Sequence, residues 1–332
     1  MKVCILGVGS FGTALAAALA PLHKNVVVWD VDLRVLESIA AHKENRRYHP
    51  GIVLPTNIQP VFTAQEAVED ARMVLFAVPS HAMRKVALQV ASFLPAHVPI
   101  IAAAKGIEEG TLMTMTQVLE SCLPEPFHPY IAVLSGPSFA REILLGNPTA
   151  MTAAARWDRV ARKCQQAFSS RVFRVDISSD IAGVQIGGAL KNVVAIAAGM
   201  AEGLGLGHNA RAAIMTAGLA EVALLAIRMG GNPVTLYGMS GMGDLVLTCT
   251  GALSRNRSTG FALGQGRKLP EILSELGQVA EGVSAAHSAY VLSTQKNIRM
   301  PVCHQVYQVL YEGKSPEQAM ADWMAQPAAE FW

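Results

Sequence analysis

Charge is the scarcest property of this 332-residue chain. Asp, Glu, Lys and Arg make up 16% of it, and 27 Lys and Arg against 25 Asp and Glu leave a formal net charge of +2. No basic block or acidic tail disturbs that balance, so the electrostatic footprint of a nucleic-acid-binding or membrane-surface protein is absent and a small soluble substrate is expected. Cysteines are few, odd in number and scattered (Cys4, Cys122, Cys164, Cys249, Cys303), with no C-x-x-C pair. That excludes a disulfide framework and a zinc knuckle and fits a reducing cytoplasm. The nine histidines form no H-x-x-x-H or Cys/His cluster, so no metal site has a sequence signal. Internal repeats and low-complexity linkers are missing as well.

What the chain has in quantity is apolar surface, 51% by residue. Two stretches imitate membrane or export segments. Met1 to Ala20 begins with a lysine and ends in alanines like a secretory signal, but Gly7, Gly9, Ser10 and Gly12 interrupt its apolar run. Ile181 to Ala201 is long enough to span a bilayer, yet Gln185, Lys191 and Asn192 sit in its middle, where an uncompensated charge is costly. It reads as a buried helix of a globular protein, and no stable membrane insertion is expected.

At roughly 100–200 residues per domain the length suggests two domains. Up to about Asp176, short β-branched runs alternate with amphipathic stretches: VCIL from Val3, VVVW from Val26, MVLFAV from Met73, PIIAAA from Pro99, IAVLS from Ile131 and RVFRV from Arg171. Several are apolar throughout, as suits strands covered on both faces in an open parallel sheet. From Asp180 onward the pattern is almost wholly helical, punctuated by Gly and Pro. The boundaries read are 1–179 for a doubly wound α/β domain and 180–325 for an all-α domain.

Val3 to Leu6 followed by Gly7-Val8-Gly9-Ser10-Phe11-Gly12 and an alanine-rich stretch is strand, tight turn and helix with G-x-G-x-x-G spacing. In a dinucleotide loop the first glycine permits the turn, the second lets the backbone approach a pyrophosphate, and the third allows close packing of helix on strand. Asp30, ending the second strand, stands where a ribose-binding acid is expected. It would favour NAD over NADP, while Arg34, Arg46 and Arg47 either offset that preference or form a solvated helix face.

Four further segments lack regular periodicity: Ala104-Lys105-Gly106, Ser135 to Ala140, Gly187 to Asn192, and Gly241 to Asp244 with Ser254 to Arg257. Ligands of open α/β sheets bind beyond the carboxyl ends of strands, which places Lys105 and the 135–140 turn suitably. Lys191, inside an apolar helix, either snorkels, pairs with a carboxylate or is catalytic. His208 reads as a helix-start or loop residue, Cys249 as a buried structural thiol, and Glu202 and Glu221 as members of a solvated or salt-bridged helix face.

Taken together, GVGSFGTALA, VPSH, AAKGIE, LSGPSFA, GGALKNVVAIAAGMAEGLGLGHNARAA, GMGDLVLTCTGALSRNRSTG and VAEG resemble the bacterial NAD(P)-dependent glycerol-3-phosphate dehydrogenases along nearly the whole chain. The resemblance implies a Rossmann-type domain, a helical domain of the 6-phosphogluconate dehydrogenase C-terminal kind, and usually a cytoplasmic homodimer. It also implies reversible reduction of dihydroxyacetone phosphate to sn-glycerol 3-phosphate, a phospholipid precursor. Lys191 matches the general acid/base, Lys105 a second substrate-contacting lysine and Asp244 the acidic partner expected to orient Lys191. Gly136, Ser138, Ser254, Arg255 and Asn256 match substrate contacts. Ser10, Phe11, Lys105, Ala140, Arg255, Val279 and Glu281 match dinucleotide contacts. Val31 stands where relatives often carry a His or Arg toward a 2′-phosphate, and so favours NAD. A β-hydroxyacid dehydrogenase would share the fold and a helix-borne lysine, and a sensor holding NAD(H) without turnover would need only the loop. The Ser254-Arg255-Asn256 run favours a phosphorylated substrate.

Overall fold

The computed structural model describes residues 1–276 and 280–326. The chain forms two compact units, one of Met1–Ala104 with Met113–Ile181, the other of Lys105–Leu112 with the chain from Ala182 onward. The first unit is built on eight strands: β1 (Lys2–Leu6), β2 (Asn25–Trp29), β3 (Ile58–Pro60), β4 (Met73–Phe76), β5 (Ile100–Ala102), β6 (Ile131–Ser135), β7 (Thr149–Ala155) and β8 (Phe173–Ser178). Their order in the sheet is β3-β2-β1-β4-β5-β6-β7-β8. Every pairing is parallel except β6 with β7. The first six strands therefore have the 3-2-1-4-5-6 order of a dinucleotide-binding sheet, whose strand order reverses between β1 and β4. Seven helices accompany it: α1 (Ser10–Leu19), α2 (Leu33–His42), α3 (Ala64–Val68), α4 (Met83–Val90), α5 (Met115–Cys122), α6 (Ala140–Leu144) and α7 (Asp158–Phe168).

The six strands expected from β-branched runs form. β3 and β7 do not announce themselves: β3 is three residues long and ends in proline, as edge strands tolerate, and β7 reads TAMTAAA. Alanine favours helix locally. In β7, burial of Met151 to Ala155 and pairing on both edges override that preference. The sheet expected to be parallel thus has one antiparallel pairing, and β7 and β8 both run against the first six strands.

The second unit contains α8 (Ile181–Gly203), α9 (Gly207–Arg228), α10 (Asp244–Thr250), α11 (Arg255–Gly264), α12 (Leu269–Leu276), α13 (Glu281–Gln295), α14 (Pro301–Tyr311) and α15 (Pro316–Met324). Every residue of α8 from Gly183 to Ala201 is buried, so the stretch that mimics a bilayer span is the spine of this unit's core. Glycine brings α11 against it. A Cβ on Gly199 would lie 2.1 Å from the carbonyl oxygen of Arg257, and one on Gly260 2.0 Å from that of Ile196. Such backbone contact is open only to residues without a side chain, and it carries the start of α11 to the middle of α8.

Glu221 departs from the solvated helix face expected of it. It is fully buried in α9, and its carboxylate accepts hydrogen bonds from the backbone N–H groups of Val302 (2.6 Å) and Cys303 (3.0 Å) in the first turn of α14. Those donors have no partner within their own helix, so a side chain from a distant helix caps it. Burial outweighs the hydrogen bonds and pushes the carboxyl up to about 7 from 4.5. A carboxyl whose pKa is raised by folding stabilises the protein below its unfolded value and loses that contribution as pH rises through the folded one. Wild type should therefore lose up to about 3 kcal/mol relative to Glu221→Gln between roughly pH 4.5 and pH 7. Denaturant midpoints at the two ends of that range measure it, and a pH-independent difference between the two proteins would refute it.

Candidate active site

In the first unit the Gly7 to Gly12 turn connects β1 to α1 at the reversal of strand order. Gly7 has φ of +94°, and a Cβ on Gly12 would lie 1.9 Å from the Gly7 carbonyl oxygen, so both positions demand glycine. Gly9 differs from them: a Cβ there would meet nothing within 4 Å. Gly9 is also the N-cap of α1 and supplies no side-chain cap. An open cradle before a helix N-terminus without a side-chain cap is where an anionic pyrophosphate fits. Asp30 takes on a task the sequence did not suggest. Its carboxylate accepts from the N–H of Val8 in the loop (2.6 Å) and from that of Asp32 (2.9 Å), which locks the loop to the end of β2. Gly136, at φ +151°, and Ser138, whose hydroxyl donates to the Gly136 carbonyl (2.8 Å), form the turn after β6. Ala140 opens α6, which packs on α1.

The arginines beside Asp30 are engaged. Asp32 pairs with Arg34 (3.0 Å) and with Arg47, and Arg46 lies 3.4 Å from Glu44. The hydrogen bond from Arg34 holds the Asp32 carboxyl below its usual range. All three arginines line a hollow of about 440 Å³ together with His42. Val31 is 64% exposed.

The second unit assembles the charged residues. Asp244, the first residue of α10 and 1% exposed, accepts from Lys191 through Oδ1 (2.5 Å) and from Lys105 through Oδ2 (2.6 Å). One carboxylate thus bridges two ammonium groups. Lys191 also donates to the Thr248 hydroxyl (2.7 Å), which in turn donates to the Asp244 carbonyl (2.6 Å). Of the three options open for a lysine in an apolar helix, pairing with a carboxylate is realised and snorkelling is not. Burial is the largest influence on Lys191 and lowers its pKa; Asp244 opposes this and Lys105 reinforces it, and the amine comes to about 8.

Thr248 escaped the sequence reading, although its signal was available: it lies four residues after Asp244 on one helix, so both side chains share a face. Asn192, next to Lys191, stands in a segment that the sequence singled out without giving it a role of its own. Its Oδ1 accepts from Asn256 Nδ2 (2.9 Å), and Asn256 Oδ1 accepts from the Gly282 N–H in the first turn of α13 (3.0 Å). Ser254 is the N-cap of α11, its hydroxyl oxygen accepting from Arg257 N–H (3.2 Å). Arg255 is exposed as the first residue of that helix, and Glu281 opens α13. Val279 lies outside the described residues.

The remaining candidates take structural places. His208 is the second residue of α9, exposed, 2.8 Å from Arg211. Cys249 is buried, and burial pushes its thiol up to about 12, which leaves it unreactive. Glu202 is salt-bridged to Arg257 (2.5 Å) and Arg211 (3.6 Å).

Comparison with known proteins agrees along the chain. Residues 2–161 match the sequence profile of the NAD-dependent glycerol-3-phosphate dehydrogenase N-terminus, and residues 180–321 that of the C-terminus. The chain is similar to the glycerol-3-phosphate dehydrogenase (NAD(P)+) of Myxococcus xanthus, at 54% identity over 99% of both chains. To that of Anaeromyxobacter dehalogenans it is 51% identical over 96% of both. The crystal structure of glycerol-3-phosphate dehydrogenase from Coxiella burnetii superposes with a TM-score of 0.93 at 34% identity, covering 98% of this chain and 99% of that one.

Proposed function

Since the chain belongs to the NAD-dependent glycerol-3-phosphate dehydrogenase family, we propose a division of work between its residues as follows. The activity is NAD(P)-dependent oxidation and reduction at a CH–OH group, interconverting dihydroxyacetone phosphate and sn-glycerol 3-phosphate in supply of glycerophospholipids. The first unit holds the dinucleotide, with the pyrophosphate on Gly9, Ser10 and Phe11, and the second holds the phosphorylated substrate. When bound, the nicotinamide supplies or accepts the hydride at C4.

The observation that carries this reading is the Asp244 bridge between Lys191 and Lys105. Reduction builds negative charge on the carbonyl oxygen. Lys191, an ammonium held in a desolvated setting, stabilises that charge and then delivers its proton. In the reverse direction the neutral amine removes the hydroxyl proton. Asp244 orients the amine, Thr248 fixes its second hydrogen bond, and Lys105 both sustains the local positive charge and brings the Lys191 pKa nearer to working pH. Arg255 and the free donor capacity of Ser254 and Asn256 serve the phosphate dianion, for which a guanidinium fork at a helix N-terminus is suited. By family resemblance Gly136 and Ser138 are assigned to the substrate, and Ala140, Val279 and Glu281 to the dinucleotide. A β-hydroxyacid dehydrogenase has no use for the phosphate run, and a non-catalytic sensor has none for the lysine pair.

NAD is the favoured cofactor. Asp30 and Asp32 place carboxylates just after β2, Val31 offers no cation, and Arg34 and Arg47 already share the Asp32 carboxylate. Loss of reduced nicotinamide absorbance with dihydroxyacetone phosphate, followed with NADH and with NADPH, tests the whole reading. Turnover with a higher kcat/KM for NADH is expected; a higher value for NADPH would overturn the cofactor preference, and no turnover would overturn the function.

The working unit is a cytoplasmic homodimer. The location is supported by five unpaired cysteines, four of them buried. The dimer is supported by α9, which is about 33 Å long at 1.5 Å per residue and whose only charged residue from Ala212 to Ile227 is the buried Glu221. An uncharged, alanine-rich face is self-complementary, as a two-fold interface requires. Ala213→Glu, at an exposed position of that face, should shift sedimentation from dimer to monomer. An unchanged dimer would place the interface elsewhere.

A further inference from the structure

One turn of chain after α2 clamps the Gly-rich loop through two buried side chains. Asn45 donates from Nδ2 to the Val8 carbonyl (2.8 Å) and to the Thr13 hydroxyl (2.8 Å). His49, 7% exposed, has Nε2 at 3.0 Å from the carbonyl oxygen of Ser10 and 3.1 Å from its hydroxyl. A carbonyl only accepts, so Nε2 carries the proton. The His49 backbone N–H donates to the Asn45 carbonyl (2.8 Å), so both side chains belong to one local turn. Ser10 is the first residue of α1 and directly follows the open Gly9 cradle.

The setting of this imidazole is hostile to a second proton while the loop holds no anion. Burial is the main cause of its lowered pKa, and Arg141, from α6, adds to it. α1 carries no charged side chain to compensate, and its positive N-terminal end lies alongside. On the ring's own segment Arg46 is paired with Glu44 and Arg47 with Asp32. The Asp30 carboxylate, at the Val8 end of the loop, is held by the N–H groups of Val8 and Asp32, and the charge that acts on the ring is Arg141. An incoming pyrophosphate would bring negative charge to the Ser10 end of the loop, beside the ring.

We propose that His49 is part of the dinucleotide site: its ring takes up a proton when the anionic pyrophosphate settles on the loop it clamps, and cofactor affinity is thereby tied to pH. The inference rests on the reading of this loop as the dinucleotide site. By linkage, a group that binds its proton more tightly in the complex makes the complex tighter as pH falls. A rise of one pKa unit corresponds to a tenfold change in affinity at full protonation.

The test is calorimetric titration of NAD+ into the full-length protein at about pH 6 and about pH 8, in buffers of differing ionisation enthalpy. Wild type is compared with His49→Gln, which keeps a donor to Ser10 but cannot be charged, and with His49→Leu, which removes both. Wild type should take up a fraction of a proton at the lower pH and gain about three- to tenfold in affinity over His49→Gln between the two pH values. His49→Gln should match wild type at the higher pH, where His49→Leu binds more weakly because the clamp is lost. Equal proton uptake by wild type and His49→Gln, or a pH-independent affinity ratio between them, would overturn the proposal and leave His49 a clamp. If folded wild-type protein binds no NAD+ at either pH, it is the cofactor reading of the loop that fails.

Discussion

Lys191→Ala should lower turnover of dihydroxyacetone phosphate by about 10²–10⁴-fold, the range that a positioned general acid supplies, with dinucleotide affinity nearly unchanged. The lysine's partners Asp244 and Thr248 belong to the second unit and the Gly-rich loop to the first. Its pH signature is equally definite. With the amine at about 8, reduction requires the ammonium form and kcat/KM should fall above about pH 8. Oxidation requires the neutral amine, and its rate should rise toward the same pH and then level off. Steady-state rates in both directions across that range, beside equilibrium binding of NADH to the variant, check both statements. Normal turnover in Lys191→Ala would remove the acid/base role. Opposite limbs that coincide in direction would show that another group titrates.

Asp244→Ala should be the most destabilising single change in the second unit. The carboxylate is 1% exposed and serves two ammonium groups. Its removal leaves Lys191 buried without this counter-charge, a situation that costs about 3–5 kcal/mol, and takes the same partner from the half-buried Lys105. The partial remedy is specific: Lys105→Met in the same chain removes one of the two cations that the carboxylate served and should restore a good part of the loss. The coupling between the two changes, from denaturant unfolding of the two single variants and the double variant, isolates that electrostatic part from the cavity. Additive effects would mean that Lys105 does not depend on Asp244. Activity should vanish in both backgrounds, because the orientation of Lys191 goes with the carboxylate.

These two predictions rest on residues of unequal legibility. Lys191 drew attention by itself, as a charge in the middle of an apolar helix, and the G-x-G-x-x-G turn did so by spacing. Both are local signals. Asp244 and Lys105 lie 53 residues after and 86 residues before Lys191, and no periodicity joins positions so far apart. Each stood in a segment without regular periodicity, family resemblance supplied their roles, and the fold then brought their side chains to within hydrogen-bonding distance of each other. Glu221 shows the opposite error. An acid on a helix defaults to the solvated face, and only the arrival of α14 over α9 turns it into a buried cap.

What the sequence determined alone was whatever depends on neighbouring residues: six strands from their β-branched runs, the conformation of a loop that only glycine can adopt, and the mostly helical character of the described residues after Asp180. What tertiary structure decided was which residues meet. An alanine-rich segment became a sheet strand because both its edges found partners. Asp30 became a lock for the loop because Val8 and Asp32 present their N–H groups to it. Lys105 joined the helical unit although it follows a strand of the other. The physical reason is one of range: backbone preference acts over a few residues, whereas a buried charge is tolerated only where the fold, through contacts such as those of Gly199 with Arg257 and Gly260 with Ile196, delivers its partner.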